Sequence, residues 1–157
     1  MPVRFWVAAA VIAGCGGGAT GGDYYMAATI DGQQWRTTAQ GSELTTASGI
    51  TSLTILGYTP LGPGSKQADG TKPQIDIVFN GTVPQAGSYD IPAFTALSII
   101  YSPSMPMYYG AMTGTVRISL ITADLVDGTF AFVAPRSADD PQPVNVTDGS
   151  FHAPIGP

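Results

Sequence analysis

The chain has 157 residues, 44% of them hydrophobic and 11% charged, which suits one globular domain and argues against intrinsic disorder. Its formal net charge is −5, and its six lysines and arginines are scattered, so we expect neither a nucleic-acid partner nor a polybasic patch for anionic lipid. A single cysteine excludes an intramolecular disulfide.

The first fifteen residues, MPVRFWVAAAVIAGC, have the features of an export leader. Arg4 supplies a positive charge, and the apolar run at 5–13 is too short to cross about 30 Å of hydrocarbon, which takes roughly 20 helical residues. Ala13 and Gly14 precede Cys15, and this IAGC tetrad resembles the bacterial lipobox, whose cysteine thiol is acylated. We predict a lipoprotein signal peptide over 1–15 with Cys15 as lipid acceptor. An ordinary signal peptide with an incidental cysteine, or a cytoplasmic protein with an apolar N-terminus, are the alternatives.

The glycine-rich segment GGGATGG at 16–22 is predicted to be a flexible tether of at most about 25 Å. Several acyl chains, at about 0.8 kcal/mol per buried CH₂, would hold the protein at a membrane almost irreversibly. We therefore expect a membrane partner through the lipid anchor, in the cell envelope. Gly16 stands where an aspartate often retains lipoproteins at an inner membrane, which favours the outer membrane.

The remainder, 23–157, is predicted to be a single domain of short strands with no helical period. Alternating or β-branched runs lie at 25–30, 35–37, 50–58, 75–79, 116–120, 130–132, 144–146 and 151. Four dipeptides typical of tight turns separate several of them: Asp31-Gly32, Asn80-Gly81, Asp127-Gly128 and Asp148-Gly149.

This pattern predicts an all-β fold, an antiparallel β-sandwich or flattened barrel of about 7–9 strands. Two stretches are expected to be irregular. The segment 61–72 is polar and contains glycine and proline, and the segment 84–107 contains Pro92, Pro103 and Pro106, so it should hold only loop or short edge strands.

Four motifs resemble a family of uncharacterised bacterial lipoproteins that share a domain of unknown function. They are TIDGQQW at 29–35, GSYDI at 87–91, GTFAF at 128–132 and VNVTDGSF at 144–151. The resemblance implies the β fold and the lipid anchor. It supplies no activity, because the motifs record turns and core positions, and the tyrosine-rich loop at 101–109 lies outside the pattern.

Catalytic and metal-binding chemistry find little support. Asp148, Ser150 and His152 would share one face of a strand, but alternate side chains stand nearly 7 Å apart, too far for a serine hydrolase triad. One histidine and one cysteine, the latter predicted to be acylated, cannot form a tetrahedral zinc site. A calcium ion held by loop carboxylates is the alternative metal site. Glu43 is the only glutamate, so paired carboxylates for glycoside hydrolysis are not expected. We predict no cofactor, no metal and no catalytic residue.

The loop at 101–109, YSPSMPMYY, is the most promising binding feature. Tyr101, Tyr108 and Tyr109 beside rigid prolines could form an exposed binding face, with Trp35 as a further contributor, although packing over the end of the sandwich is the alternative. The sequence thus predicts a non-catalytic binding or structural module with an unknown protein or glycan ligand. An envelope hydrolase using residues near the C-terminal strand is the alternative.

Overall fold

The computed structural model describes residues 24–37, 42–47, 50–62, 67–104, 107–136 and 142–156. These ranges contain eleven strands and no helix: β1 (Tyr25–Ile30), β2 (Gln33–Thr37), β3 (Ser42–Ala47), β4 (Ile50–Tyr58), β5 (Gln74–Phe79), β6 (Gly87–Ile91), β7 (Leu97–Ser102), β8 (Tyr109–Gly110), β9 (Thr113–Ile121), β10 (Leu125–Pro135) and β11 (Pro143–Gly156). The all-β prediction is confirmed. Within the same ranges there is no helix of the length and apolar character needed to cross a membrane.

The strands form two antiparallel sheets that pack as a sandwich. The first, six-stranded sheet has the order β6-β9-β10-β11-β1-β2. The second has the order β3-β4-β5-β7, and the two-residue β8 pairs with β7 at its end. The last residues of β11 pair in parallel with β3, so the sheets meet at this corner without closing into a barrel. Of the two architectures expected, the sandwich is correct, and the described strands number eleven instead of 7–9.

The segment 84–107 departs partly from expectation. β6 is a short edge strand, as its prolines suggested, but β7 lies inside the second sheet between β5 and β8. β7 is internal because Leu97, Ile99 and Tyr101 alternate toward the core and are all buried. The alternation of apolar residues therefore predicts the position of this strand better than the neighbouring prolines do, since the prolines fall outside the strand.

The core lies between the sheets and follows the period-two alternation of the sequence. In the second sheet, the predicted Ile75, Ile77 and Phe79 are fully buried. Val116 and Ile118 of β9 are also buried, whereas Leu120 is 43% exposed. The reason is a register shift in which β9 carries an extra residue opposite Asp127 and Gly128, so the alternation of β9 reverses there.

The four turn dipeptides divide into two pairs. Asp31-Gly32 and Asn80-Gly81 lie at turns between strands, as predicted, and Asp31 and Gly32 take φ of 47° and 79°, as a two-residue hairpin requires. Asp127-Gly128 and Asp148-Gly149 were predicted wrongly, because both lie inside long strands at register shifts. Asp148, at φ 52°, belongs to a bulge in which two β11 residues oppose the single residue Ala131 of β10.

Three glycines of the first sheet lie directly opposite buried phenylalanines. The pairs are Gly114–Phe132, Gly128–Phe151 and Gly149–Phe130. The rings stack in series, with centroids 6.1 Å apart from Phe132 to Phe130 and 6.2 Å from Phe130 to Phe151. A side chain at each glycine would overlap the facing ring or its backbone, so the glycines make room for this ladder of rings on the core face.

Candidate functional site

The predicted lipid acceptor, Cys15, and the tether at 16–22 lie outside the described residues. Their assignment stays a prediction. The described residues begin at Tyr24, and β1 begins at Tyr25.

The three tyrosines of the loop at 101–109 do not share one exposed face. Tyr101 is only 5% exposed, because it points into the core from β7 and its ring lies 6.4 Å from that of Phe132. Burial raises the pKa of its phenol, and the Asp31 carboxylate raises the pKa further. The expectation that Tyr101 belongs to an exposed binding face is therefore wrong.

Tyr108 and Tyr109 differ from each other as well. Tyr108 is 51% exposed and follows Met107, which is 43% exposed, whereas Tyr109 is half-buried where it pairs with Tyr101. A ligand-binding role for Tyr108 and Tyr109 stays a prediction. Trp35 packs against the core and offers no open platform beside them.

His152 is placed opposite a carboxylate that the sequence did not single out as its partner. Its Nδ1 lies 2.5 Å from Asp127 Oδ1, because His152 and Asp127 are directly paired residues of β11 and β10. In the described part of the chain no hydrogen bond joins His152 to Ser150 or Asp148, the two residues of the hypothetical triad. The antiparallel register of β10 and β11 places Asp127 beside His152, although the two residues are 25 positions apart in sequence.

The His152–Asp127 pair continues into a row of stacked rings. The Tyr25 ring centroid lies 6.3 Å from that of His152, and the Tyr24 centroid lies 5.7 Å from it. The Arg36 guanidinium carbon is 4.2 Å from the centroid of Tyr25. Tyr25 on β1 thus contacts a cation from β2 and lies near the imidazole from β11, which is a stabilising cross-strand arrangement.

A groove crosses the outward face of the six-stranded sheet, and we call it the outer groove. It consists of two adjoining depressions, of about 470 Å³ and about 440 Å³, that share Thr115 and Ala131. A smaller depression of about 190 Å³ extends it over β1 and β2 and shares Asp148 with its neighbour. Its outward-facing polar lining includes Ser88, Asp90, Thr113, Thr115, Arg117, Thr129, Asn145, Thr147, Asp148 and Ser150.

The lining of the outer groove combines side chains that can form hydrogen bonds with apolar ones such as Ala131 and Val133. The Thr115 hydroxyl donates to Asp90 Oδ1 at 2.7 Å, and the Thr147 hydroxyl donates to Asp148 Oδ2 at 3.2 Å. Each of these carboxylates keeps a second oxygen that can accept hydrogen bonds from a ligand. Ala131, which is exposed, leaves the centre of the groove open because it has no bulk beyond its Cβ.

The outer groove was not foreseen, because its residues come from four strands and carry no local motif. The signal in the sequence was the alternation itself: in TGTVRIS the residues between the core positions are threonine, arginine and serine. Only the order of strands shows that these residues adjoin Thr129, Ala131 and Ser150. The ranges that the structure describes hold no group of three metal-binding side chains.

No protein-family model matches the chain, and comparisons with curated proteins and with solved structures find no similar protein.

Proposed function

We propose that this protein is a lipid-anchored, non-catalytic module of the cell envelope, and that it binds a glycan in the outer groove. The observation that carries the proposal is the presence of hydroxyl, amide and carboxylate side chains, among apolar ones, in two adjoining depressions on the outward face of the sheet. Sugar hydroxyls both donate and accept hydrogen bonds, and such side chains complement them.

A glycan fits this surface better than an extended peptide. Peptides that bind to sheets usually add a strand at an exposed edge, where backbone groups are unpaired. The outer groove instead crosses the middle of the sheet, where β9, β10 and β11 already pair with neighbours on both sides.

The non-catalytic character is supported by the environment of His152. A hydrolase of the Ser-His-Asp type needs the histidine within about 2.6–3.2 Å of both partners. His152 contacts Asp127, and its ring is stacked with Tyr24 and Tyr25 instead of being aimed at Ser150. We interpret this row of side chains as a clamp between strands.

The anchor rests on the IAGC tetrad and on its spacing from the domain. Tyr25 comes ten positions after Cys15, so the first strand would lie within roughly 36 Å of the acylated cysteine. Such a reach leaves the protein beside the membrane. Outer-membrane localisation is part of the proposal, on the basis of Gly16.

The glycan site is tested by filling the groove. Ala131→Tyr places a ring over the exposed centre of the outer groove without touching the core, and Ser119→Tyr places the same ring on β9 at an exposed position outside the groove. We expect co-sedimentation of the intact protein with purified envelope polysaccharide to be lost with Ala131→Tyr and kept with Ser119→Tyr. Equal binding by both variants, at unchanged melting temperatures, contradicts the proposed site.

The anchor is tested by growing cells with radioactive palmitate and comparing the wild type with Cys15→Ser. We expect label in the wild-type band alone. Equal labelling of the two proteins, or a wild-type protein recovered with a free thiol, contradicts lipidation at Cys15.

A further inference from the structure

Arg117 differs from the other described basic side chains in having no charged or aromatic partner. Arg36 lies over the Tyr25 ring, and Arg136 forms an ion pair with Asp31. The pKa of Asp69 is lowered mainly by hydrogen bonds from Thr71, and the charge of Lys72 lowers it further. Arg117 is exposed and forms no ion pair or ring contact within the described ranges. In a chain with net charge −5, a cation that forms no ion pair among the described residues is free to meet an anionic ligand.

The register places Arg117 in the middle of a row of hydroxyl groups. Ser88 of β6 lies directly opposite it on one side and Thr129 of β10 on the other, and Ser150 of β11 lies opposite Thr129. All four side chains line the depression of about 440 Å³. Neighbouring strands are about 4.8 Å apart, so Ser88 and Thr129 flank Arg117 and Ser150 lies one strand farther away. Guanidinium and hydroxyl groups are all hydrogen-bond donors, so Arg117 and its two neighbours offer donors and a positive charge to one group.

We propose that Arg117, flanked in this row by Ser88 and Thr129, binds the carboxylate of an acidic sugar, and that Ser150 forms a hydrogen bond with a hydroxyl of the same ligand. The inference rests on the proposed glycan-binding function and specifies its ligand as a glycan containing uronic acid. Guanidinium binds carboxylate through two parallel hydrogen bonds, which are stronger than bonds between neutral groups, and hydroxyl donors beside it complete the coordination of the two oxygens.

The surrounding charges determine which anion the row accepts. Asp148 lines the same depression, and Asp90 lines the adjoining one, so a ligand with a negative charge on every unit, such as a phosphate-rich chain or a polyuronate, would be repelled. A glycan with one uronic acid among neutral sugars presents its carboxylate to Arg117 and its hydroxyls to Asp90 and Asp148. The alternation of one cation and two carboxylates along the groove thus favours a mixed acidic and hydroxylated ligand.

The experiment uses the intact protein in detergent and isothermal titration calorimetry with matched probes. A tetrasaccharide with one glucuronic acid and three neutral xyloses is compared with the form whose carboxylate is reduced to a hydroxymethyl group, and tetraglutamate serves as the peptide probe. We expect the uronate to bind tenfold or more tightly than its reduced form. Arg117→Gln should abolish this preference.

Two further variants distinguish a specific contact of Arg117 with the carboxylate from an effect of the protein's net charge. Lys72→Gln removes the same single charge outside the outer groove and should keep the preference for the uronate. Arg117→Lys keeps the charge without the paired donors and should retain only part of the preference.

The outcomes distinguish this inference from the proposed function. Equal affinity for uronate and reduced forms, or a preference that survives Arg117→Gln, overturns the carboxylate site while glycan binding stands. Binding of tetraglutamate without either sugar form, or no binding of any probe at millimolar concentration, overturns both.

Discussion

Gly149 lies directly opposite Phe130 in the β10–β11 pair, and the Phe130 ring occupies the space that a side chain at 149 would need. A methyl group at Gly149 would stand 2.5 Å from Phe130 Cδ2 and 2.6 Å from its Cε2, and it would also overlap the Phe130 carbonyl oxygen. The position therefore requires glycine for steric reasons, without a left-handed backbone being involved.

Gly149→Ala is expected to destabilise the protein by about 3 kcal/mol, the upper part of the range for overpacked cores, because part of the clash is with backbone. Urea unfolding followed by tryptophan fluorescence measures the change. Gly110→Ala is the matched control, since a methyl group there meets nothing within 4 Å. If the two variants unfold at the same urea concentration, the close packing of Phe130 on Gly149 is wrong.

Truncation to alanine should lower the free energy of unfolding strongly at Tyr101 and hardly at Tyr108. Tyr101→Ala removes a buried ring from the core and should cost about 3 kcal/mol or more. Tyr108→Ala removes a half-exposed ring and should change the free energy of unfolding by no more than about 0.5 kcal/mol. Thermal melts of the two variants make the comparison, and a stable Tyr101→Ala protein would contradict the placement of β7.

Asp31 contributes to the fold through its backbone conformation and through its carboxylate. Its N–H donates to the Asn145 carbonyl at 2.9 Å, its Oδ1 accepts from the Asn145 N–H at 3.0 Å, and its other oxygen pairs with Arg136. Asp31→Asn keeps the left-handed preference and the acceptor and loses only an ion pair whose arginine is 45% exposed, so it should cost less than about 1 kcal/mol.

Asp31→Ala loses the acceptor and the tolerance of positive φ together, and should cost about 1–2 kcal/mol more than Asp31→Asn. Denaturant melts at two salt concentrations separate these effects, since only the ion-pair contribution should fall with added salt. Equal destabilisation by the two variants would show that the carboxylate charge, and not the turn, is what matters.

The contribution of Asp76 to the free energy of unfolding should be less favourable at neutral pH than at acid pH. Asp76 is half-buried on the outward face of the second sheet between Leu56 and Ile100, and burial raises its pKa above the ordinary 3.8, although a hydrogen bond from Gln74 Nε2 acts in the opposite direction. The folded state therefore holds the proton more tightly than the unfolded state, and folding loses stability as the pH rises through this interval.

Asp76→Asn removes the charge and keeps an oxygen that accepts from Gln74. Its melting temperature should exceed that of the wild type at pH 7, and the difference should shrink as the pH falls below 3.8, where both chains are uncharged at this position. Asp90→Asn, at an exposed position, is the control. A difference that does not depend on pH would contradict a raised pKa at Asp76.

Local sequence determined the features that depend on neighbouring residues. The period-two alternation of Ile75, Ile77 and Phe79 determined the strand and its buried face, because side chains alternate across a sheet. The Asp31-Gly32 pair determined a hairpin, because both residues tolerate the positive φ that the turn requires. The same reasoning predicted turns wrongly at Asp127-Gly128 and Asp148-Gly149. The glycines of these dipeptides lie inside strands, opposite Phe151 and Phe130.

Only the tertiary structure decided what lies across the sheet from each strand. The antiparallel register of β10 and β11 placed Asp127 beside His152, and the order β6-β9-β10-β11 assembled the outer groove around Arg117. These contacts join residues far apart in sequence, and their formation depends on which strand edges pair and on how the core packs. A strand's own residues specify which way its side chains point, but not which neighbours they meet.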